Sequence, residues 1–505
     1  MGSSLKLELS IIQESLSQFY PELILSGAII LLVLVDLILK RKGQTVYVAM
    51  ALASLSLVFV SLVTQWNQDP QVSLFLGMIS LDRFAIIFKV LFAAGTLLTV
   101  FASWSYWNKG QIREKHAEYY TLILALALGS FLLAMASNLL MIYLSVEVLS
   151  ISAYVLTNFS FNRKTSESAM KYVLFGGLSS GIMIYGISLL YGFTGTLDIT
   201  SGQMVAGLLD QSSTGEPNVL LIIAIIMVLG GFLFKISSAP FHIWTPDVYE
   251  TAPTPVVAFF SIVPKLAGFA VLLKFVLVIH LYGQSPLDWQ VMLTVISIAT
   301  LTIGNFSALF QKNAKRMLAY SSIAHSGFIL VGVVAFSKFG MQTILFYGGI
   351  YLLMNFAAFL IVQMIERRTG AVMIEEYKGL GRQLPFLGAL MLIVMIALTG
   401  LPPTAGFTAK LLIFSALWDT YDQIGDNYLF AFLIIGLLNT VVSLFYYLKI
   451  PYFMFFKPQK AENDVSELKS AKENYLIAIL VIMILLFFFK PDWLMGYLQN
   501  VNFGV

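Results

Sequence analysis

Long, nearly uncharged apolar runs recur along this chain, and each is long enough to cross a bilayer as a helix of about 20 residues. Roughly fourteen can be read on that criterion. Their approximate cores are 20–39, 46–64, 84–104, 119–136, 139–158, 172–192, 219–238, 256–280, 289–309, 317–336, 342–364, 386–418, 429–453 and 475–490. The short polar joint Ser137-Asn138 separates the fourth from the fifth. Composition agrees. Of 505 residues, 58% are hydrophobic and 11% charged, against roughly 25% charged in a soluble protein. That is too little charge to coat so much apolar chain in water. The expected fold class is an all-α polytopic membrane protein.

Charge in the connections alternates. Lys40, Arg41 and Lys42 follow the first run; Lys109, Arg113 and Lys115 the third; Arg163 and Lys164 the fifth. Lys312, Lys315 and Arg316 follow the ninth, Arg367, Arg368, Lys378 and Arg382 the eleventh, and Lys457, Lys460, Lys469 and Lys472 the thirteenth. The intervening connections 65–80, 193–218, 281–288 and 419–428 hold no Lys or Arg. Basic loops stay on the cytoplasmic side, so both termini are expected outside the cytoplasm. The stretches 66–80, 194–218 and 457–474 read as polar connections. The start, MGSSLKLELS, has no apolar run directly behind a basic stretch, so no cleaved signal peptide is expected.

The remaining totals narrow the chemistry. A net charge of +3 offers no strongly basic surface to nucleic acid. Cysteine is absent, which excludes disulfides, cysteine-ligated iron–sulfur clusters and thiol catalysis. The four histidines are His116, His242, His280 and His325. Two bis-histidine haems would consume all of them, which argues against a cytochrome.

A short repeat is present. Gly231-Phe232-Leu233-Phe234-Lys235 recurs as Gly406-Phe407-Thr408-Ala409-Lys410. The copies fall in the seventh and twelfth runs, so an odd number of crossings relates them and they run in opposite directions. That is the pattern of an inverted repeat, a common transporter plan. Both copies adjoin helix breakers: Ser237-Ser238-Ala239-Pro240 after Lys235, and Leu401-Pro402-Pro403 before Lys410. Proline removes a backbone donor and clashes with the preceding turn. Broken helices in a membrane occur where protein or a water-filled cavity surrounds them. The expected organisation is one membrane domain: three N-terminal helices in 1–118, repeats at 119–280 and 289–456, and a C-terminal helix in 475–505.

Ionisable groups lie at membrane depth. Glu147 is central in the fifth run, and Tyr143, Ser150 and Tyr154 at i−4, i+3 and i+7 share its helix face. Lys235 lies deep in the seventh run, Lys265 in the eighth, His325 in the tenth and Lys410 in the twelfth; Lys274 is nearer the end of the eighth. Each mid-helix charge costs roughly 2.5–3.5 kcal/mol on the insertion scale. Four would approach ~10–14 kcal/mol by simple addition, an upper bound because pairing and water reduce it. The plain structural alternative is a fixed buried pair, such as Glu147 with Lys235, that holds helices in register. Burial disfavours the charged form of a lysine and a nearby carboxylate favours it. A lysine between those influences changes protonation when its surroundings shift, which is the physical basis of a proton relay. Glu147, Lys235, Lys265, His325 and Lys410 form the candidate relay. Moving one charge against 100 mV costs about 2.3 kcal/mol. The chain has no Walker A motif, flavin fingerprint or metal cluster to supply it, so a driven pump built on it needs a partner.

Other charges read as structural. Asp36 is expected to pair with Lys40 at a helix end, Asp82 and Arg83 to sit at an interface, and Lys449 to snorkel. His242 and His280 are expected at helix ends. Lys89 admits either reading.

The motifs LYGFTGTLDI (190–199), APFHIWTPDVYETAPTPVVAF (239–259), VPKLAGF (263–269), KRMLAYSSIAHSGF (315–328), EEYKGLGRQLP (375–385) and GLPPTAGFTAK (400–410) resemble those of the antiporter-like subunits of respiratory complex I. They are most similar to the subunit N family of NADH-quinone oxidoreductases. Thr251 stands where that family commonly has glycine. The resemblance implies fourteen helices with two inverted five-helix repeats. It also implies roles: Glu147 as the modulating fifth-helix glutamate, Lys235 as the broken-helix lysine, Lys265 as the connecting lysine, Lys410 as the twelfth-helix lysine toward the exit, and His325 as a polar relay. It implies no cofactor in this chain, with NADH, FMN, iron–sulfur clusters and quinone held by partner subunits, and other membrane subunits of complex I as neighbours. A cation/proton antiporter subunit of Mrp type is the alternative, and it needs no redox partner.

Overall fold

The computed structural model describes residues 2–39, 43–107, 115–212, 218–281, 288–458 and 471–501. Lys40, Arg41, Lys42, Lys109, Arg113, Lys460 and Lys469 of the charge alternation lie outside the described residues, as do the side chains of His280 and Lys472.

The chain begins with α1 (Gly2–Gln18), α2 (Tyr20–Leu39) and α3 (Gln44–Gln68). A hairpin of β1 (Val72–Leu74) and β2 (Ile79–Leu81) follows, with Val72 opposite Leu81 and Leu74 opposite Ile79. Then come α4 (Arg83–Tyr106), α5 (His116–Met135), α6 (Leu139–Thr157), α7 (Arg163–Thr194), α8 (Gly202–Ser212) and α9 (Val219–Lys235). Short α10 (Trp244–Thr251) and α11 (Thr254–Phe260) lead into α12 (Val263–Leu281). The rest is α13 (Trp289–Leu309), α14 (Ala314–Val334), α15 (Lys338–Thr369), α16 (Leu380–Gln383), α17 (Pro385–Thr399), α18 (Ala405–Ile424), α19 (Asn427–Phe456), α20 (Ala471–Phe489) and α21 (Asp492–Leu498).

Local chemistry starts and stops these helices. Asp82, Asn138, Asn218 and Asn313 each turn a side-chain oxygen onto a first-turn N–H of α4, α6, α9 and α14, which satisfies one of the otherwise unpaired donors. Asn162 and Thr165 cap α7 reciprocally, at 3.0 and 3.1 Å. Gly195, Gly370 and Gly425 close α7, α15 and α18 with positive φ.

Two compact units emerge. The first comprises the chain to Ile236 together with Val263–Trp289; the second comprises Ser237–Ile262 and Gln290–Val501. In the first, α5 packs on α2, α4 and α6, and α7 packs on α9. The hairpin residues Leu74, Ile79 and Leu81 bury against Ala85, Ile86 and Met135. In the second, α14 and α15 are the interior helices, 94% and 89% buried over their apolar windows, whereas α19 is 28% buried and turns its side chains outward.

Among the described residues, eleven helices are long and apolar enough to cross a membrane, or twelve if the bent pair Glu473–Phe489 with Asp492–Leu498 is one span. The protein is a multi-pass membrane protein. The sequence runs and the helices differ where proline intervenes. The run 386–418 splits into α17 and α18 around Gly400–Thr404, where Gly400 has φ 84° and two prolines follow. The run 219–238 stops at Lys235. The polar connection 66–80 carries most of the hairpin, and 194–218 carries α8. The expected all-α class thus holds apart from this two-stranded hairpin. Asp36 accepts a hydrogen bond from Tyr47 at 2.5 Å, and Lys449 donates to the Gln311 carbonyl at 3.0 Å.

Candidate functional site

In the first unit, Lys235 is the last residue of α9 and is 4% exposed. A helix C-terminus carries partial negative charge, so this end suits a cation. The Lys235 ammonium donates to Ser150 Oγ at 2.5 Å, and Ser150 donates to the Val146 carbonyl at 2.5 Å. Ser150 is one turn beyond Glu147 on α6, so Lys235 meets the helix face expected from the sequence. Its direct partner is the hydroxyl. Glu147 forms no ion pair within 4 Å among the described residues, and its Oε1 is buried without a hydrogen bond. The fixed Glu147–Lys235 pair is therefore not what the structure holds.

Small residues make this approach possible. A Cβ on Gly231 would strike the Met183 side chain on α7, and one on Gly176 would overlap the Tyr154 ring. A Cβ on Gly268 would lie 2.8 Å from Ile236 and 3.2 Å from Lys235 Cβ. Lys265 (3% exposed) is three residues before Gly268 and shares its face of α12. That face is the one laid against the end of α9.

In the second unit, Lys410 lies in the second turn of α18 and is 5% exposed. Its ammonium donates to the Thr399 carbonyl at 2.7 Å, across the break, and stands 4.3 Å from the Phe328 ring centroid. Lys410 thus caps the carbonyl end of α17. His325 is 1% exposed. Its Nδ1 is 2.7 Å from Tyr347 Oη and its Nε2 is 2.9 Å from Tyr447 Oη, and Tyr351 stacks on the ring at 4.2 Å. Phe328, one turn from His325 with rings 6.1 Å apart, is the residue Lys410 stands over. A neutral imidazole between two hydroxyls accepts from one and donates to the other, so a proton can cross it by a tautomer change.

The sequence did not single out Glu22, Tyr347 or Tyr447. Glu22 and Lys89 form a 2.7 Å ion pair with both side chains fully buried, which decides the reading of Lys89. Arg316 bridges Asp247 and Glu250, at 2.8 Å to each. Asn305 donates to Asn439 at 3.1 Å and accepts from Tyr446 at 2.9 Å. The regular hydrogen-bonding appetite of these side chains was visible in the sequence; their partners, 22 to 141 residues away along the chain, were not. Among the described residues no group of three or more His, Cys, Asp or Glu is placed to hold a metal ion.

The arrangement gives each unit a lysine seated at a broken helix end, with hydroxyl or carbonyl oxygen against its ammonium. The family described as NADH:quinone oxidoreductase/Mrp antiporter, transmembrane, matches residues 136–442. A second family, NAD(P)H-quinone oxidoreductase subunit 2 N-terminal, matches residues 4–104. The chain is 38% identical to NADH-quinone oxidoreductase subunit N of Chlorobium chlorochromatii over 97% of this chain and 96% of that one. A chain of respiratory complex I from Thermus thermophilus with bound aureothin superposes with TM-score 0.78 at 29% identity, covering 95% of this chain and all of that one. A chain of the Mrp complex from Dietzia superposes with TM-score 0.79 at 20% identity, covering 95% and 96%, which is a likeness of fold.

Proposed function

The chain belongs to the NADH:quinone oxidoreductase/Mrp antiporter transmembrane family, and from that premise we propose that it is the proton-translocating membrane subunit of a bacterial complex I-type NADH–quinone oxidoreductase. Glu147, Lys235, Lys265, His325 and Lys410 relay the protons. NADH oxidation and quinone reduction, with FMN, iron–sulfur clusters and quinone, belong to partner subunits. The neighbours are other membrane subunits of the same complex. The reading extends to fourteen crossings, two inverted five-helix repeats within 119–280 and 289–456, three N-terminal helices in 1–118, and both termini on the periplasmic side.

One observation carries the reading. Along a chain related over almost its whole length to subunit N, the deep lysines sit at broken helix ends, held by neutral oxygens. An ammonium that leans on a hydroxyl or a carbonyl keeps its charge only while its surroundings favour it, because neither partner is an anion that locks the proton in place. Pre-formed breaks supply the polar atoms; the apolar packing around them keeps bulk water from short-circuiting the path.

The test uses the whole complex reconstituted in liposomes, driven by NADH and quinone. Glu147→Ala and Lys410→Ala lose proton uptake or coupled turnover while the complex still assembles. An unchanged proton-to-electron ratio in both overturns the relay. Sodium-dependent proton exchange by the purified chain alone, with no redox partner required, favours the Mrp-type alternative.

A further inference from the structure

Lys410 has two partners among the described residues: the Thr399 carbonyl at 2.7 Å, and the Phe328 ring, whose centroid is 4.3 Å from the ammonium. The carbonyl takes one of the three N–H groups. No carboxylate acts on this lysine among the described residues. Lys235 differs, because Glu147 acts on it through space. The ring contact of Lys410 also stands apart from others of its kind. Lys89, Lys235 and Lys274 lie 5.9, 5.8 and 5.5 Å from the ring centroids of Phe131, Phe234 and Phe84, near the outer limit of such an attraction at about 6 Å.

The surrounding helices hold this contact in place. Phe328 is 1% exposed on the interior helix α14. Phe414, one turn beyond Lys410 on α18, meets the Phe328 ring at 6.2 Å and 87°. Phe414 in turn fills the space left by Gly436 on α19, where a Cβ would lie 2.6 Å from its ring. The stem of Lys410 passes Gly400, where a Cβ would lie 2.7 Å from Lys410 Cδ. The two glycines thus let α17, α18 and α19 close around one lysine–phenylalanine pair. Both nitrogens of His325, one turn before Phe328, face tyrosine hydroxyls, so the imidazole does not compete for the ammonium.

An ammonium in apolar surroundings needs compensation for the water it has lost. The face of an aromatic ring carries negative electrostatic potential, and its attraction for a cation grows when both are desolvated. That attraction acts on the charged lysine and disappears for the neutral amine. It is weaker than the pull of a paired carboxylate, so it steadies the charge without fixing the proton.

We propose that Phe328 is a positioning residue for Lys410. Its ring face does for this lysine what Glu147 does for Lys235, and it holds the protonated side chain at the break between α17 and α18 from one proton transfer to the next. The ring itself gives and takes no proton. This rests on the reading of Lys410 as a relay group. A packing role needs only the volume of the ring, whereas this role needs its electrons, and the two are separable.

The test changes the electrons of the ring at nearly constant shape. Phenylalanine carrying one, two or three ring fluorines is placed at position 328 of the assembled complex. Each fluorine draws density from the face and weakens its hold on a cation. In liposomes driven by NADH and quinone, the proton-to-electron ratio falls in step with the number of fluorines, and the trifluoro ring shows most of the loss seen in Lys410→Ala. The same rings in place of Phe488, which packs against Phe407 and Phe489, leave the ratio unchanged. Phe328→Leu keeps an apolar side chain without a π face and matches the trifluoro ring; if it fails to assemble, the fluorinated series decides. Where Lys410→Ala lowers the ratio, a ratio that stays constant across the series at position 328, or falls without following the fluorine count, overturns the proposal. An equal fall at position 488 does so too. An unchanged ratio in Lys410→Ala refutes the relay reading itself.

Discussion

Glu22 and Lys89 show what a buried charge does when its partner is another charge. Both side chains are fully buried at 2.7 Å, so each compensates the other's lost hydration. Removing one partner from such a pair costs about 3–5 kcal/mol, whereas replacing both with apolar residues of similar size is close to neutral. Lys89→Met and Glu22→Leu are each expected to lower the thermal stability or the yield of assembled complex, and the double substitution to recover most of it. Equal losses in the singles and an additive loss in the double would show that the two charges do not act as a pair. Lys235 and Lys410 differ in kind, because hydroxyl and carbonyl oxygens hold them. The difference was hidden in the sequence. Lysine inside an apolar run is easy to see, but whether its partner is a carboxylate, a hydroxyl or a carbonyl depends on which helix comes to lie beside it. Glu22 escaped notice because it falls at the start of a run, where a carboxylate looks interfacial.

Whole elements were easier to read than their partners. Proline announced both breaks, whereas the asparagines that cap α6, α7, α9 and α14 were identified only in the structure. Apolar content alone did not reveal that the run 386–418 is two helices, since the five-residue break at 400–404 interrupts hydrogen bonding without adding charge. That break is built around Gly400. It has φ 84°, and a Cβ there would lie 2.7 Å from Lys410 Cδ. A left-handed conformation costs a non-glycine residue roughly 1–2 kcal/mol. Gly400→Ala therefore strains the turn and displaces the lysine from the Thr399 carbonyl. The expected outcome is a complex that assembles but pumps less per electron; a full proton-to-electron ratio in Gly400→Ala would show that the Lys410 position is unimportant.

At the scale of the molecule, the sequence carries the class and the structure carries the circuit. Apolar length, loop charge and the motif set pointed to a multi-pass subunit of this family without reference to any coordinate. The hairpin and α8 were not legible, because each lies in a stretch that reads as a polar connection by itself. A chain that takes its energy from a redox partner has no need of sodium. Proton uptake by the reconstituted complex is accordingly expected to be the same in sodium-free potassium buffer; abolition by sodium removal would move the chain to the antiporter class.

The central claim is that a deep lysine must let its proton go, not merely be charged. Lys235→Arg separates the two, because a guanidinium keeps its charge but does not deprotonate in proteins. The measurement is the proton-to-electron ratio of the reconstituted complex carrying Lys235→Arg, with assembly checked by quinone reductase content. The account predicts that the ratio drops to that of Lys235→Ala. A wild-type ratio with arginine at position 235 would contradict it.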